Sequence, residues 1–246
     1  LLDAVTWTRV LRVGVGENCD LRIRDFRETP RGSSFSLAWR GNAWGSAAWT
    51  QSGLFNARNA ACAAAACAVF ASPDAPERTP FPSAPLEKFQ GVKRRREILL
   101  DTPALVVAED FGHHPTALRL TLSALRERYP ERKIIAAFEP RSNTAVRRLM
   151  QDAFADALAV ADAALIAPVH HASGGAEKMD TRELARTLRS RGREAEAPET
   201  LEQVFPALEK FADAASSDAP ALVVFFSNGA FGGLIRRFAD FHRPLA

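Results

Sequence analysis

An α/β fold, with helices flanking a mostly parallel sheet, is predicted for the larger, C-terminal part of this sequence, behind a β-rich N-terminal part. Three observations predict it. Short apolar runs without alternation recur beyond residue 103, as in strands buried on both faces. Segments with helical spacing separate them. Each run then gives way to Gly, Ser, Asn, His or Arg, the composition of ligand-binding loops at the carboxyl edge of such sheets.

Taken in order, residues 8–13, 21–26, 34–39 and 43–49 read as short strands, several alternating apolar with polar side chains as half-exposed antiparallel strands do. Asn56 and Asn59 stand three apart before an alanine-rich helix expected over 60–71. Their amides can face one ligand such as an adenine edge, or one of them can cap the helix. Cys62 and Cys67 are expected to be small buried residues of that helix. Five prolines between residues 72 and 85 predict a stiff, exposed connector with no helix, and a domain boundary near Leu86, dividing the chain into 1–86 and 87–246. The basic run Lys93-Arg94-Arg95-Arg96 reads by default as a solvated face.

The strand expected at 104–108 runs into Glu109-Asp110-Phe111-Gly112-His113-His114-Pro115. Pro115 suits a first helical position, and Leu118, Leu122 and Leu125 carry the helix on. Strands follow at 133–138, 163–167 and 221–226, and helices at 144–159, 181–190, 201–214 and 234–241. The loops after the strands hold Glu139-Pro140-Arg141-Ser142-Asn143-Thr144, then Pro168 to Gly175 with His170 and His171, then Ser227-Asn228-Gly229-Ala230-Phe231. Four polar loops on one sheet edge predict a site.

Composition narrows the classes. With 246 residues, 47% of them hydrophobic, one large or two modest domains can form. Lys and Arg number 32 against 29 Asp and Glu, an excess too small to call for a nucleic-acid or membrane partner. Arginine outnumbers lysine 27 to five, which suits bidentate anion contacts or a GC-rich genome. Three cysteines cannot all pair, no signal peptide opens the chain, and no run reaches the roughly 20 apolar residues of a membrane span, so a cytoplasmic protein is expected. Adjacent histidines on a loop seldom converge on one ion, so His170 and His171 are not expected to bind a metal. The absence of an initiator methionine before Leu1 suggests a fragment.

These motifs resemble the Mur ligase family of ATP-dependent amide-forming enzymes. Its His-Asn-x-x-Asn signature corresponds to Phe55-Asn56-Ala57-Arg58-Asn59, with the histidine replaced. Its Arg-Arg-Phe-Glu hinge corresponds to Arg94-Arg95-Arg96-Glu97, and Asp-Asp-Tyr-Gly/Ala-His-x-Pro to 109–115. Glu-Pro-Arg-Ser-Asn-Thr at 139–144 and the Ser227–Gly233 loop resemble the tripeptide-joining members rather than the alanine-joining ones. The resemblance covers essentially the whole chain, yet no lysine follows a glycine, so the family's phosphate-binding Gly-Lys-Thr loop is missing.

The resemblance implies a β-rich tail of the central ATPase domain followed by a Rossmann-like C-terminal domain. It implies ATP and Mg2+ as cofactors, the metal ligands lying in sequence not present. UDP-N-acetylmuramate and a murein tripeptide are the implied partners. By position it implies Asn56 and Asn59 at adenine, Asp110 at the ribose, Arg95 near the nucleotide and His113 near the reacting groups. Arg141, Ser142 and Asn143 would meet phosphate or a peptide carboxylate, and Ser227, Asn228 and Phe231 would line the peptide end. Two alternatives stay open: an alanine-joining ligase, and a non-catalytic binding module descended from the family.

Overall fold

The computed structural model describes residues 7–29, 31–169 and 177–244. The chain divides into two compact units, Leu1–Gly91 and Val92–Ala246.

In the first unit, β1 (Val13–Gly14) runs parallel to β2 (Leu21–Thr29). From there β2, β3 (Gly32–Trp39) and β4 (Asn42–Trp49) form an antiparallel meander. Gly32 has φ of +141°, and a Cβ there would fall 1.9 Å from the Trp49 carbonyl oxygen, so only glycine lets β3 start beside the end of β4. α1 (Leu54–Ala71) covers one face. Its inner stripe of Ala57, Ala60, Ala61, Ala65 and Ala68 meets large residues of the sheet, among them Phe35, Leu37, Trp39 and Trp49. Cys62 and Cys67, expected inside, are exposed, because Leu54 and the alanines occupy the helix face that meets the sheet. At 18 residues and mean hydropathy 1.3, α1 is long and apolar enough by composition to cross a membrane, but its inner stripe is core.

The proline-rich stretch is not a bare connector. It holds a 3-10 turn at Pro76–Arg78 and a short helix, α2 (Ser83–Glu87). Trp44 Nε1 donates to the Thr79 carbonyl at 2.7 Å, and the Phe81 ring meets Trp44 edge to face. Phe89 lies tilted against Trp49, so the segment up to Gly91 stays with the first unit and the division falls a few residues beyond Leu86.

The second unit is a six-stranded sheet ordered β5 (Arg95–Asp101), β6 (Leu105–Asp110), β10 (Ala221–Phe226), β7 (Lys133–Phe138), β8 (Ala163–Ile166), β9 (Glu194–Glu196). Only β5 is antiparallel to its neighbour. Alternate strand residues feed two cores. Val106, Ile134, Phe138, Leu222 and Phe226 pack under α3 (Pro115–Arg128), α4 (Gln151–Leu158) and α5 (Thr181–Ser190). Val107, Ile135, Leu165, Val223 and Phe225 pack under α6 (Val204–Ala212) and α7 (Leu234–Phe241). Local signals fix the helix starts: the His114 ring accepts from Thr116 N ahead of Pro115, and the Asp180 carboxylate accepts from Glu183 N.

Three further expectations differ from the structure. The helix predicted over 144–159 begins only at Gln151 after a 3-10 turn, because Arg148 N donates to Glu177 O and Met179 N to Val146 O, diverting backbone groups a helix would use. The basic run, read as a solvated face, leads straight into a strand, β5 beginning at Arg95. The strand expected at 8–13 shrinks to Val13–Gly14.

Candidate active site

β6, β10 and β7 end level, with Phe226 in register with both Asp110 and Phe138. The chain leaves β6 and β7 toward helices on one face of the sheet and leaves β10 toward α7 on the other. A crevice at such a reversal is where open α/β sheets bind ligands.

Its floor is acidic and tied together. Glu139, fully buried, accepts a hydrogen bond from Ser227 Oγ. Ser227 Oγ in turn accepts from Gly229 N at 2.8 Å. Arg94, which precedes β5 at φ of +60°, pairs through Nε with Glu109 Oε1 at 2.6 Å. Its Nη2 donates to the Ser227 carbonyl at 3.1 Å and also to the Gly229 carbonyl. Arg236 approaches the other Glu109 oxygen at 3.3 Å. Glu109 is buried while the Arg94 side chain is about a third exposed, so solvent screens the pair in part, and the second arginine would take over some of its charge if Arg94 were removed.

Asp110 is buried, with Oδ1 accepting from Gly112 N at 2.7 Å and Oδ2 from Arg96 N at 3.1 Å. Desolvation raises its pKa above the ordinary carboxylate value. The Gly112 N–H, the Arg95 and Arg96 charges and the Arg96 N–H oppose that rise without cancelling it. Arg95 is exposed and stacks over the Phe111 ring at 5.1 Å. His113 sits edge-on to Phe111, its Nδ1 3.1 Å from the Phe111 carbonyl. Exposed Arg141 reaches to 3.8 Å from Glu139 Oε1. A cationic, anion-accepting mouth over a buried acidic floor suits a carboxylate or phosphate ligand.

Residues 94–229 match the family model described as "Mur ligase, glutamate ligase domain". The chain belongs to the Mur ligase family. It is 32% identical over 167 residues to a UDP-N-acetylmuramate–L-alanine ligase of Acidithiobacillus ferrooxidans, covering 67% of this chain and 35% of that one. Among solved structures, a UDP-N-acetylmuramate–alanine ligase from Thermotoga maritima superposes with TM-score 0.71 at 23% identity, covering 94% of this chain and 47% of its own. A murein peptide ligase from Psychrobacter arcticus superposes with TM-score 0.63 at 26% identity, covering 98% and 48%. The chain thus spans about a third to a half of the length of these relatives.

Of the residues this Mur ligase sequence singled out, Asp110, Arg95, His113, Arg141, Ser142, Asn143, Ser227 and Asn228 all lie on the carboxyl edge of the sheet or in the loops just beyond it. Ser142 Oγ accepts from Ala145 N at 3.1 Å, and the exposed Asn143 accepts from Arg147 Nε on its carbonyl. Asn228 Oδ1 is buried without a hydrogen-bond partner among the described residues. Two of the residues expected to line the peptide end are fully buried: the Phe231 ring packs on Phe225 in the core under α7 and cannot line a ligand surface, and the Ser227 hydroxyl is engaged with Glu139 and Gly229 N beneath the loop. Asn56 and Asn59 belong to the first unit. Gly53 is the N-cap there; Asn56 donates to the Ser52 carbonyl, and Asn59 Nδ2 lies 3.5 Å from Asn56 Oδ1. His170 and His171 lie outside the described residues. Among the described residues no cluster of three or more His, Cys, Asp or Glu could hold a metal.

Sequence reasoning assigned no role to Arg94, Glu109, Glu139 or Gly229. Glu139 was findable as an acid directly behind a buried strand. Arg94 was not, since three consecutive arginines look alike until the backbone turns between them.

Proposed function

We propose that these 246 residues are the C-terminal portion of a murein peptide ligase. In this reading Leu1–Gly91 is the tail of the central ATPase domain and Val92–Ala246 the C-terminal domain. ATP, with Mg2+ held by sequence outside this chain, phosphorylates the carboxylate of UDP-N-acetylmuramate. The amine of L-alanyl-γ-D-glutamyl-meso-diaminopimelate then displaces phosphate to form the amide. The observation that carries the reading is the meeting of the Arg141–Asn143 and Ser227–Gly229 loops at one sheet edge, with Arg141 over Gly229. Such chemistry needs clamped anions and an oriented amine more than a protein nucleophile.

Within this reading Asn56 and Asn59 serve adenine. Asp110 can still accept from ribose hydroxyls, since each carboxylate oxygen has room for a second donor. Arg95 stands near the nucleotide and His113 near the reacting groups. Arg141, Ser142 and Asn143 hold the anionic end of the peptide or the acyl phosphate, with Ser227 and Asn228 behind them.

A second reading, an L-alanine-joining ligase, is favoured by the 32% identity to the Acidithiobacillus enzyme. Calorimetric titration of this chain with the tripeptide and with L-alanine separates the two. The tripeptide should bind, and Arg141→Ala should weaken it about tenfold to a hundredfold, the worth of one charge-assisted hydrogen bond. L-Alanine binding without tripeptide binding would overturn the first reading in favour of the second.

A further inference from the structure

The turn that follows β10 is unusually well anchored for a loop. Ser227 N donates to the Asp110 carbonyl at 3.1 Å, Gly229 N donates to Ser227 Oγ, and Ser227 Oγ donates to buried Glu139. The Arg94 guanidinium takes up the carbonyls of both Ser227 and Gly229. The turn therefore has little freedom to move, and its outward surface at residue 229 is bare Cα. Against that bare surface lies Arg141: a Cβ added to Gly229 would stand 2.6 Å from Arg141 Nη1, 2.7 Å from its Cδ and 2.8 Å from its Nε. All three atoms belong to the far part of one flexible, half-exposed side chain. Gly229 does not need glycine for its backbone, since its φ lies outside the left-handed region.

The geometry points to Gly229 as a positioning residue for Arg141, its missing side chain forming the seat that aims the guanidinium into the crevice. The seat is fixed from beneath by Glu139, Ser227 and Arg94, so the pose of Arg141 depends on the ends of three strands, its own loop contributing Glu139 at 3.8 Å. Pre-placing a long cation removes part of the rotamer entropy that binding an anion would otherwise cost. The size of residue 229 thereby tunes affinity for a carboxylate- or phosphate-bearing substrate group. This deepens the ligase reading and rests on it only for the identity of the anion.

The test uses the 246-residue chain. The Nε–Hε signal of Arg141 in a nitrogen-15 spectrum, assigned by its loss in Arg141→Lys, should be dispersed and motionally restrained in the wild type. Gly229→Ala should move it to the position and mobility of a free arginine while the melting temperature holds. Ser227→Ala, which loosens the seat without adding a Cβ, should shift it the same way. An Arg141 signal unchanged by Gly229→Ala, or a Gly229→Ala chain that fails to fold, would overturn the inference. In tripeptide titrations Gly229→Ala should weaken binding by up to about tenfold, and the same change in an Arg141→Ala background should add nothing. An additive loss in that cycle would show residue 229 acting independently of Arg141 and would likewise overturn it. Should the wild type bind no tripeptide while the spectra behave as expected, the peptide reading fails and the seat for Arg141 stands.

Discussion

Asp110 illustrates how a single residue serves fold and site together. Its two backbone donors, Gly112 N and Arg96 N, shape the turn out of β6 and pin β5 against it, while burial penalises its charge. Because its folded pKa lies above 3.8, the folded state keeps a proton that the unfolded chain releases as pH climbs. Its contribution to stability is therefore greatest in acid and declines as pH rises through the folded pKa. Asp110→Asn removes that titration. In chemical unfolding between about pH 4 and 7, the wild type should lose stability relative to the variant as pH rises. A difference that stays flat, or runs the other way, would show that the carboxylate is not desolvated. The same burial bears on ligand binding, since an aligned, poorly hydrated acceptor loses little water when a hydroxyl arrives.

At the scale of the element, α3 follows its sequence closely: His114 caps it, Pro115 opens it, and Leu118, Leu122 and Leu125 form the buried face. Leu122→Ala should destabilise the protein by about 2–5 kcal/mol, the range for emptying a packed leucine site. Leu120, 38% exposed on the opposite face, should cost under about 1 kcal/mol when changed to alanine. Denaturant midpoints check both, and comparable losses would show the helix rotated on its sheet. α3, β6, β7 and β10 were legible because their information is local, in apolar runs and caps. β5 was not, because an arginine-rich edge strand forms on the ladder offered by β6 rather than on its own pattern. The broken helix before Gln151 has the same cause: its competitor, the 177–179 segment, is far away in sequence. The candidate site divides likewise. Loop compositions revealed Arg141 and Ser227, whereas Arg94, Gly229 and the burial of Phe231 depend on how separate elements pack.

For the molecule as a whole, the second unit has two cores of its own, one on each face of the sheet. Residues 92–244 expressed alone should unfold cooperatively, with a melting temperature within a few degrees of that of the same unit in the whole chain; a molten product would show that the unit depends on the first. Yet its wiring carries a hazard for synthesis. β10, the last strand made, is inserted between β6 and β7. Until it emerges from the ribosome, the two strands made earlier must either stand roughly 9–10 Å apart, with a strand-wide slot between them, or pair wrongly with each other. A nascent chain stopped anywhere before residue 221 therefore lacks the middle of its sheet rather than a dispensable edge. Truncated translation products should accordingly be handed to chaperones or proteases instead of persisting as nearly folded, ligand-binding decoys.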